Sequence, residues 1–555
     1  MTQQREIVRQ IFAGVAVVSL MAAAVLRAQV TKPIAGDPAK TDAGPVSGTM
    51  SADGLKTYFG IPFAAPPIRE NRWRAPQPVT PWDGVLTANR KPAACVQGLR
   101  SSSINHYFGD ELVGEDCLYL NLWAPRTAKA GDRLPVLVWI YGGGFNQGSA
   151  SSPIYAGSEL AKKGVIYVAP NYRVGILGFL AHPEMTKESG RGASGNWGFL
   201  DQVAALQWVK RNIAVFGGDP ANVTLIGQSA GSMSINNLQA SPLATGLFRR
   251  AIGMSGSTLR SGVPAQATLA EAESQGMKLQ EALKATSLAD MRSFSSDKVM
   301  TAAQAASVRA SQIVDGYFLP DTVDGIFKSG KQNDVAVLTG STARDIGTTV
   351  PIRAAKTVTE FKALATQMYG DKATELLALY PAATDADAMR QAEEIGRNSG
   401  FTLGARAWAR EQTRTGREPA YLFIVSRVQP FTPGVTFSDF NPATAGAYHM
   451  GDVPYFLGTY EAFNLFRRTR DWTAWDRELS NALQDVVVAF ARTGNPSTRV
   501  VQLTRYALDN ETRVDFGDSI RVEKLNTKAL NFLETTPAAP APGGRGRGRG
   551  GGGLR

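Results

Sequence analysis

The chain has 555 residues, of which 43% are hydrophobic and 19% are charged, the composition of an ordinary globular protein. It contains three histidines and two cysteines and has no Cys-x-x-Cys or His-Glu-x-x-His motif, which argues against a zinc site. The formal net charge is +11, but residues 1–28 contribute +2 and residues 537–555 contribute +4, so a mild +5 remains and argues against nucleic-acid binding by the body.

Residues 1–28 show the parts of a secretory signal peptide. Arg5 and Arg9 supply a positive start, an apolar run from Ile11 to Leu26 follows, and an acceptable cleavage site comes after it. The run is a little short for a membrane-spanning helix. We therefore expect a secreted or periplasmic protein whose mature form has no stable membrane span. An uncleaved membrane anchor is the alternative.

Residues 29–43 are polar and rich in Pro, Ala and Asp, and they are predicted to form a linker ahead of a folded domain at residues 44–536. Cys95 and Cys117 are the only cysteines of the chain. In an exported chain they can pair, which would close a loop of about 21 residues and contribute roughly 3 kcal/mol in the chain-entropy model. Two free buried thiols are the alternative.

Near-continuous apolar runs between helical stretches predict an α/β fold, with a parallel sheet covered on both faces. The predicted strands are Leu134–Tyr141, Val165–Ala169, Val223–Ile226, Val335–Thr339 and Tyr421–Ser426. The predicted helical stretches lie at 158–163, 198–216, much of 258–330, most of the chain from there to about 414, and around 479–491.

The first predicted strand ends in Gly142, Gly143 and Gly144, followed by Phe145. Glycines directly after a strand can present bare backbone N–H groups, which suits an oxyanion hole. A plain tight turn is the alternative. A phosphate-binding loop is disfavoured because no P-loop lysine follows.

A G-x-S-x-G motif, Gly227-Gln228-Ser229-Ala230-Gly231, follows the strand Val223–Ile226 directly. This motif is typical of a tight strand-to-helix turn that holds a serine in a strained, exposed conformation. Its glycines tolerate backbone angles and close approaches that larger residues do not. We therefore predict that Ser229 is a nucleophile; a serine in an ordinary Gly-rich turn is the alternative.

A serine hydroxyl needs a base that takes its proton, and in hydrolases built around this turn the chain order is Ser, acid, His. His106 and His182 precede Ser229 and only His449 follows it, so His449 is the base by elimination if the fold prediction is right. Spacing leaves several candidates for the acid. Asp345 is attractive because it lies just past a predicted strand, where it could orient the imidazole.

From residue 537 the composition changes to Pro and Ala, and then to Gly and Arg repeats up to the last residue, 555. We predict that residues 537–555 form a disordered tail. Its arginines could contact RNA or another acidic polymer, but no aromatic residues are interleaved with them, so a solvated basic tail is the default.

From about residue 44 to residue 532, the sequence resembles a type B carboxylesterase, of the carboxylesterase/cholinesterase family of α/β-hydrolases. The resemblance covers nearly the whole chain without its two ends. The matching motifs are FGIPFAAPP at 59–67, EDCLYLN at 115–121, YGGGF at 141–145, GNWGFLDQ at 195–202 and GQSAG at 227–231.

The resemblance implies an α/β-hydrolase fold, with a large, mostly parallel central sheet flanked by helices and with inserted helical segments. It also implies a catalytic triad, a set of oxyanion N–H donors, one disulfide and one structural ion pair. The implied triad is Ser229, His449 and Asp345, and the implied oxyanion donors are Gly143, Gly144 and Ala230. The disulfide would join Cys95 to Cys117, and the ion pair would join Arg72 to Glu115.

Three features depart from the family pattern. The acid Asp345 stands where the family usually has Glu, and Gln228 precedes the serine where cholinesterase-like members have Glu. The segment between Cys95 and Cys117 contains no tryptophan that could stack on a quaternary ammonium group. A choline ester is therefore disfavoured as the substrate.

These features together predict a serine ester hydrolase that works through an acyl-serine intermediate, on small to medium acyl or aryl esters and without a cofactor or metal. A lipase, a polyester hydrolase and an amidase remain as alternatives because they share the fold. A non-catalytic binding protein is disfavoured because such relatives often lack the serine or the histidine. Nucleic acid is not an expected partner, and the oligomeric state is not predicted.

Overall fold

The computed structural model describes residues 32–34, 36–98, 112–259, 266–345, 351–438, 440–536 and 538. The predicted signal peptide lies outside the described residues, as do His106 and, except for residue 538, the predicted tail. Within the described ranges, no helix has both the length and the apolar character needed to cross a membrane.

A 12-stranded sheet forms the centre of the described chain. In chain order its strands are β1 (Lys32–Pro33), β2 (Thr49–Met50), β3 (Lys56–Pro62), β4 (Tyr119–Ala124), β5 (Leu134–Ile140), β6 (Ile166–Pro170), β7 (Gly218–Gln228), β8 (Arg250–Met254), β9 (Ala336–Thr342), β10 (Ala420–Val425), β11 (Thr512–Phe516) and β12 (Ile520–Lys524). Their spatial order follows the chain, except that β6 lies between β4 and β5.

The middle of the sheet, from β6 across to β11, is parallel, whereas both ends are antiparallel. In the parallel part, β6, β8, β9 and β10 are buried at every residue. Such strands must be covered on both faces, which is why they read as unbroken apolar runs. The predicted mostly parallel sheet is confirmed.

Helices flank the sheet and connect its parallel strands. They are α1 (Ser158–Lys162), α2 (Gly175–Phe179), α3 (Pro183–Glu188), α4 (Trp197–Asn212), α5 (Ala230–Ala240), α6 (Leu269–Leu283), α7 (Leu288–Ser293), α8 (Ser296–Ala305), α9 (Val323–Lys328), α10 (Val358–Tyr369), α11 (Ala373–Leu379), α12 (Asp385–Arg397), α13 (Phe401–Thr415), α14 (Val453–Leu457), α15 (Ala474–Thr493) and α16 (Thr527–Thr535).

Of the smaller hydrophobic cores beside the large core of the sheet, two are built from helices. Phe361, Leu376 and Ile395 of α10–α12 pack together with Leu530 of α16. The other small core joins helices α3 and α6–α8 around residues such as Met291. Helices α3, α6–α8 and α10–α12 are inserted between strands of the sheet, as the resemblance implied, whereas α16 follows the last strand.

An ion cluster fixes the C-terminal helix to the rest of the domain. Arg406 of α13 is 2% exposed and donates to Glu511 at 2.6 Å and to Glu534 of α16 at 2.9 Å. Arg410, one helical turn later, also donates to Glu534, at 2.6 Å. The guanidinium group of Arg406 is thus buried, but it is compensated by two carboxylates.

Several elements differ from the sequence prediction. Strand β8 was not predicted, because its five residues include an arginine and a glycine within a short apolar stretch. Within the predicted linker of residues 29–43, β1 pairs with β2, and Asp37 accepts hydrogen bonds from the Gly48 N–H and the Tyr58 hydroxyl. This segment therefore packs against the domain.

The disulfide implied by the family resemblance is present, because Cys95 and Cys117 are bonded. The implied ion pair is also present: Arg72 donates to both carboxylate oxygens of Glu115, at 2.5 and 2.6 Å. Arg72 also donates to the backbone oxygen of Phe294, at 2.7 Å. This arginine therefore connects the disulfide-bonded segment to the helical insertion.

Candidate active site

Ser229 occupies the turn between β7 and α5. Its backbone angles, φ 58° and ψ −124°, are rarely adopted by a residue with a side chain. The turn is tight: a Cβ at Gly231 would lie 1.9 Å from the backbone oxygen of Ile140, on the neighbouring strand β5. A Cβ at Gly227 would lie 2.8 Å from the same oxygen. Gly227, Gly231 and the strained serine therefore belong to one close contact between the turn and the sheet.

The glycine loop after β5 packs directly against this turn. A Cβ at Gly142 would lie 2.9 Å from the Cβ of Ser229. Gly143 and Gly144 have φ of +116° and +64°, and no acceptor among the described residues takes a hydrogen bond from their N–H groups. Ala230 is the first residue of α5, so its N–H has no acceptor within the helix. The N–H groups of the three predicted oxyanion donors are thus unpaired and lie in the segments around Ser229.

Asp345 and His449 are in direct contact. Arg344 and Tyr448 form a single parallel β-bridge, and the residues that follow them are Asp345 and His449. The Oδ1 atom of Asp345 lies 2.5 Å from Nδ1 of His449. The Asp345 side chain is fully buried, whereas the His449 side chain is 17% exposed. A carboxylate at Nδ1 fixes the tautomer, so that Nε2 carries the free lone pair.

The histidine ring has two further neighbours. Its face stacks on Phe401 of α13, with ring centroids 5.7 Å apart. Its Nε2 lies 3.2 Å from the side-chain nitrogen of Gln228, the residue before Ser229. Among the described contacts, the Ser229 hydroxyl makes no hydrogen bond to the ring. Catalytic hydrogen bonds often tighten only when substrate binds.

A second carboxyl group lies behind the Asp345–His449 pair. Asp452 is fully buried, and Ser255 donates to it at 3.4 Å. Burial, together with the nearby charge of Asp345, raises the pKa of Asp452 to about 7, although His449 opposes the shift. The sequence analysis did not single out Asp452. Its position three residues after His449 is the only signal that could have suggested it.

A buried polar network holds the His449 loop on both sides. Arg470 is 1% exposed, and it donates to Gln429 at 2.7 Å and to the Tyr448 hydroxyl at 3.1 Å. Gln429 in turn donates to the Gly451 oxygen at 3.0 Å. The guanidinium group of Arg470 lies over the ring of Phe431 at 4.0 Å, and no carboxylate of the described residues pairs with it. None of these residues was predicted from the sequence.

His182, the other described histidine, has a structural position. Its Nδ1 accepts from the Glu184 N–H at the start of α3, and its Nε2 lies 2.8 Å from Gln280. It is therefore held between two helices of the insertion, in contact with neither Ser229 nor Asp345. Across the described ranges, no cluster of three or more His, Cys, Asp or Glu side chains is arranged to hold a metal ion.

Residues 37–533 match the model of the Carboxylesterase family. The chain belongs to this family. Carboxylesterases are ester hydrolases, and the predicted enzyme class is therefore confirmed.

Curated relatives of this carboxylesterase cover most of its length. It is 36% identical over 467 residues to the fumonisin B1 esterase of Sphingopyxis macrogoltabida, covering 82% of each chain. It is 32% identical over 496 residues to the para-nitrobenzyl esterase of Bacillus subtilis, covering 87% of this chain and 95% of the relative. It is also 31% identical to the human cocaine esterase, covering 80% of each chain.

Solved structures agree with these sequence matches. A thermophilic PNB esterase superposes with a TM-score of 0.72 at 29% identity, covering 90% of this carboxylesterase and 99% of that chain. A second PNB esterase structure gives a TM-score of 0.69 at the same identity and coverage. The α/β-hydrolase fold implied by the family resemblance is therefore confirmed.

Proposed function

We propose that this carboxylesterase hydrolyses esters through an acyl-serine intermediate on Ser229, with His449 as the general base and Asp345 as the residue that orients it. The observation that carries this proposal is the 2.5 Å contact between Asp345 Oδ1 and His449 Nδ1, next to the strained Ser229 turn. This contact leaves Nε2 of the ring as the atom that can accept a proton.

In the acylation step, Nε2 of His449 takes the proton of the Ser229 hydroxyl as its Oγ attacks the ester carbonyl. The buried Asp345 stabilises the imidazolium that forms and does not take the proton itself. The imidazolium then protonates the departing alcohol, which leaves an acyl group on Ser229. Water activated by the neutral ring attacks this acyl group and releases the acid.

The oxyanion of each tetrahedral intermediate is stabilised by the N–H groups of Gly143, Gly144 and Ala230. Two of these donors are on the glycine loop and the third is at the N-terminus of α5. Backbone donors fixed in advance stabilise the charge without reorganisation, and one such donor is typically worth about 3 kcal/mol in the transition state. No cofactor or metal takes part in these steps.

Small to medium acyl or aryl esters are the proposed substrates. The names of two relatives, para-nitrobenzyl esterase and cocaine esterase, point to aromatic groups in their substrates, and this supports the proposal. Choline esters are disfavoured, because the segment between Cys95 and Cys117 lacks a tryptophan that could stack on a quaternary ammonium group.

The test is hydrolysis of p-nitrophenyl esters from acetate to palmitate by the purified chain and by Ser229→Ala. We expect activity that is highest on short and medium chains and falls by several orders of magnitude in the variant. A fluorophosphonate probe should add its mass to the wild type and not to Ser229→Ala. Ser274→Ala is the matched control, because Ser274 is exposed on α6. Equal activity or labelling of Ser229→Ala and wild type would contradict the mechanism.

We also propose that the chain is exported and that residues 1–28 are removed as a signal peptide. The Cys95–Cys117 bond supports this proposal, because disulfides form and persist in oxidising compartments. N-terminal sequencing of the protein from periplasmic and culture fractions tests it. A mature N-terminus near residue 29 is expected, whereas an intact N-terminus in the membrane fraction would indicate an uncleaved anchor.

A further inference from the structure

The ring of Phe401 stacks on the histidine of the proposed triad. The two ring centroids lie 5.7 Å apart and the ring planes are inclined by 20°, a separation in the range of offset-stacked aromatic pairs. Phe401 is half-buried, and it belongs to none of the hydrophobic cores that the described residues form. Core packing therefore does not account for an aromatic side chain beside His449.

The backbone around Phe401 is fixed to the strand that leads to Asp345. Phe401 is the first residue of α13, and Gly400 before it has φ +61° and ψ −128°, a sharp turn that glycine tolerates. The Thr402 hydroxyl lies 2.8 Å from the hydroxyl of Ser341, and both side chains are buried. Ser341 belongs to β9, which ends three residues before Asp345. The fold therefore brings the aromatic ring and the acid to the same imidazole from two segments that are bonded to each other.

We infer that Phe401 is a positioning residue that holds the His449 ring by stacking and stabilises the imidazolium formed when His449 takes the Ser229 proton. The inference rests on the proposed function, because the ring becomes charged when it acts as the base of that mechanism. The face of an aromatic ring carries a partial negative charge and attracts a cation within about 6 Å of its centroid. Asp345 stabilises the charge from the Nδ1 edge of the imidazole, and Phe401 stabilises it through stacking.

The other groups that face the imidazole must stay constant in a test of this contact. Asp345 is bonded to Nδ1, and the buried Asp452 interacts with both Asp345 and His449. The N-terminus of α13 contributes a partial positive charge, which opposes an imidazolium. The neutral amide of Gln228 lies over the ring, with its nitrogen 3.2 and 3.5 Å from the two ring nitrogens. Fluorination of the Phe401 ring leaves all four groups in place.

The experiment replaces Phe401 with 4-fluoro-, 3,5-difluoro- and pentafluorophenylalanine in the full chain. These rings have nearly the same shape, but their faces are progressively less negative. NMR of the chain labelled with ¹⁵N-histidine follows the three histidines, and the signal missing from His449→Gln identifies His449. We expect its titration midpoint to fall stepwise, by about half a pH unit in the pentafluoro form. On the alkaline plateau, kcat/KM should fall about threefold in that form.

Two further proteins control for effects on packing. Phe401→Tyr keeps an aromatic face and should titrate within about 0.2 pH unit of the wild type. Pentafluorophenylalanine at position 294 is the matched control, because the half-buried Phe294 lies in the helical insertion with Lys298 3.8 Å from its ring centroid. It should leave the His449 midpoint unchanged.

The inference is wrong if the pentafluoro ring at position 401 moves the His449 midpoint by less than about 0.1 pH unit. It is also wrong if the same ring at position 294 moves the midpoint equally, since the effect would then not come from stacking. A residue that only fills space would give no stepwise change with fluorination. The titration needs no substrate, so a failure of the inference is separate from a failure of the esterase assay.

Discussion

Arg344 and Tyr448 pair through one isolated parallel β-bridge, in which the Arg344 N–H donates to the Ala447 oxygen at 2.9 Å. Each is followed directly by a member of the proposed acid–base pair. The backbone therefore sets the separation of Asp345 and His449, and their side chains need only adopt compatible rotamers. We therefore expect the activity to depend on a carboxylate at position 345 more than on the length of the side chain that carries it.

We therefore predict that Asp345→Asn lowers kcat by a factor on the order of 10⁴, because the amide no longer stabilises the imidazolium and permits the wrong tautomer. Asp345→Glu should recover much of the loss, since the family usually has Glu at this position. Thermal unfolding of both variants checks that the fold is retained. A loss of less than tenfold in a folded Asp345→Asn would show that Asp345 is not the acid.

Asp452 should make the stability of the protein dependent on pH. Its pKa is raised to about 7 in the folded state, against about 4 in an unfolded chain. Between these values the folded state binds more protons, so the free energy of unfolding falls as pH rises. In Asp452→Asn the side chain does not titrate, so this fall in the free energy of unfolding is absent. The stability of this variant relative to the wild type should therefore increase by about 3 kcal/mol between pH 5 and pH 8.

Thermal unfolding of Asp452→Asn and wild type at several pH values measures this effect. The difference between their unfolding midpoints should grow across this range and then level off above about pH 7. Asp324→Asn is a control, because Asp324 is exposed and pairs with Lys328 of the same helix. A constant difference between Asp452→Asn and wild type would show that Asp452 is ionised throughout.

Arg470 should contribute to both stability and turnover. Replacing it with methionine removes the donor to the Tyr448 hydroxyl and one of the two donors to Gln429 Oε1, which keeps the Tyr448 hydroxyl at 2.9 Å. We expect a destabilisation of about 3 kcal/mol. We also expect a lower kcat, because these residues flank the His449 loop. Arg470→Lys should not rescue either property, since lysine lacks the planar fork that reaches both partners.

Urea unfolding and ester kinetics of the Arg470 variants test this prediction. Arg468→Met is the matched control: its side chain is 73% exposed and pairs with Asp471, three residues later. That change should cost less than about 1 kcal/mol. Equal effects of Arg468→Met and Arg470→Met would mean that the buried network does not support the loop.

Two glycines of the loop should respond differently to alanine. A Cβ at Gly142 would lie 2.5 Å from the backbone oxygen of Gln228 and 2.9 Å from the Cβ of Ser229. Gly142→Ala should therefore abolish activity and lower stability strongly. A Cβ at Gly144 has nothing closer than 3.9 Å. Its φ of +64° makes Gly144→Ala cost only about 1–2 kcal/mol.

Thermal unfolding midpoints and kcat of the two glycine variants distinguish a steric clash of the added Cβ from the strain of a positive φ. Gly144→Ala should lose more activity than its small loss of stability explains, because its N–H must point at the oxyanion. Gly157→Ala serves as a reference for a clash away from the oxyanion loop, since its Cβ would meet the ring of Tyr167. If Gly144→Ala keeps full activity, this residue is not an oxyanion donor.

The sequence was most informative where one short segment carries the chemistry. The turn around Ser229 and the glycine loop are each continuous in the chain. Their glycines were attributed to tight local backbone geometry, and the structure shows close contacts that a Cβ at several of these positions would violate. His449 could be selected because the chain has only three histidines. Most of the parallel buried strands were predicted from their unbroken apolar runs, because a strand covered on both faces is apolar at every position.

The supporting residues could not be predicted, because they depend on contacts between distant segments. Gln429 and Arg470 lie 41 positions apart and meet only when two loops fold over each other. The contact between Gln228 and His449 spans 221 positions. Asp452 resembles any other acidic residue in the sequence, since its properties arise from burial. The end strands β2 and β12 were missed because they are short and contain no buried residue.

The ion cluster at Arg406 has a consequence for the order in which the chain completes its fold during synthesis. Helix α13 carries a guanidinium group that is 2% exposed in the finished domain, and its carboxylate partners come 105 and 128 residues later. Until Glu511 is available, Arg406 of α13 cannot be buried without an uncompensated charge, and Glu534 then completes the cluster. The last stage of folding therefore waits for the chain to be nearly complete, and a chain released before Glu511 should be a substrate for proteases.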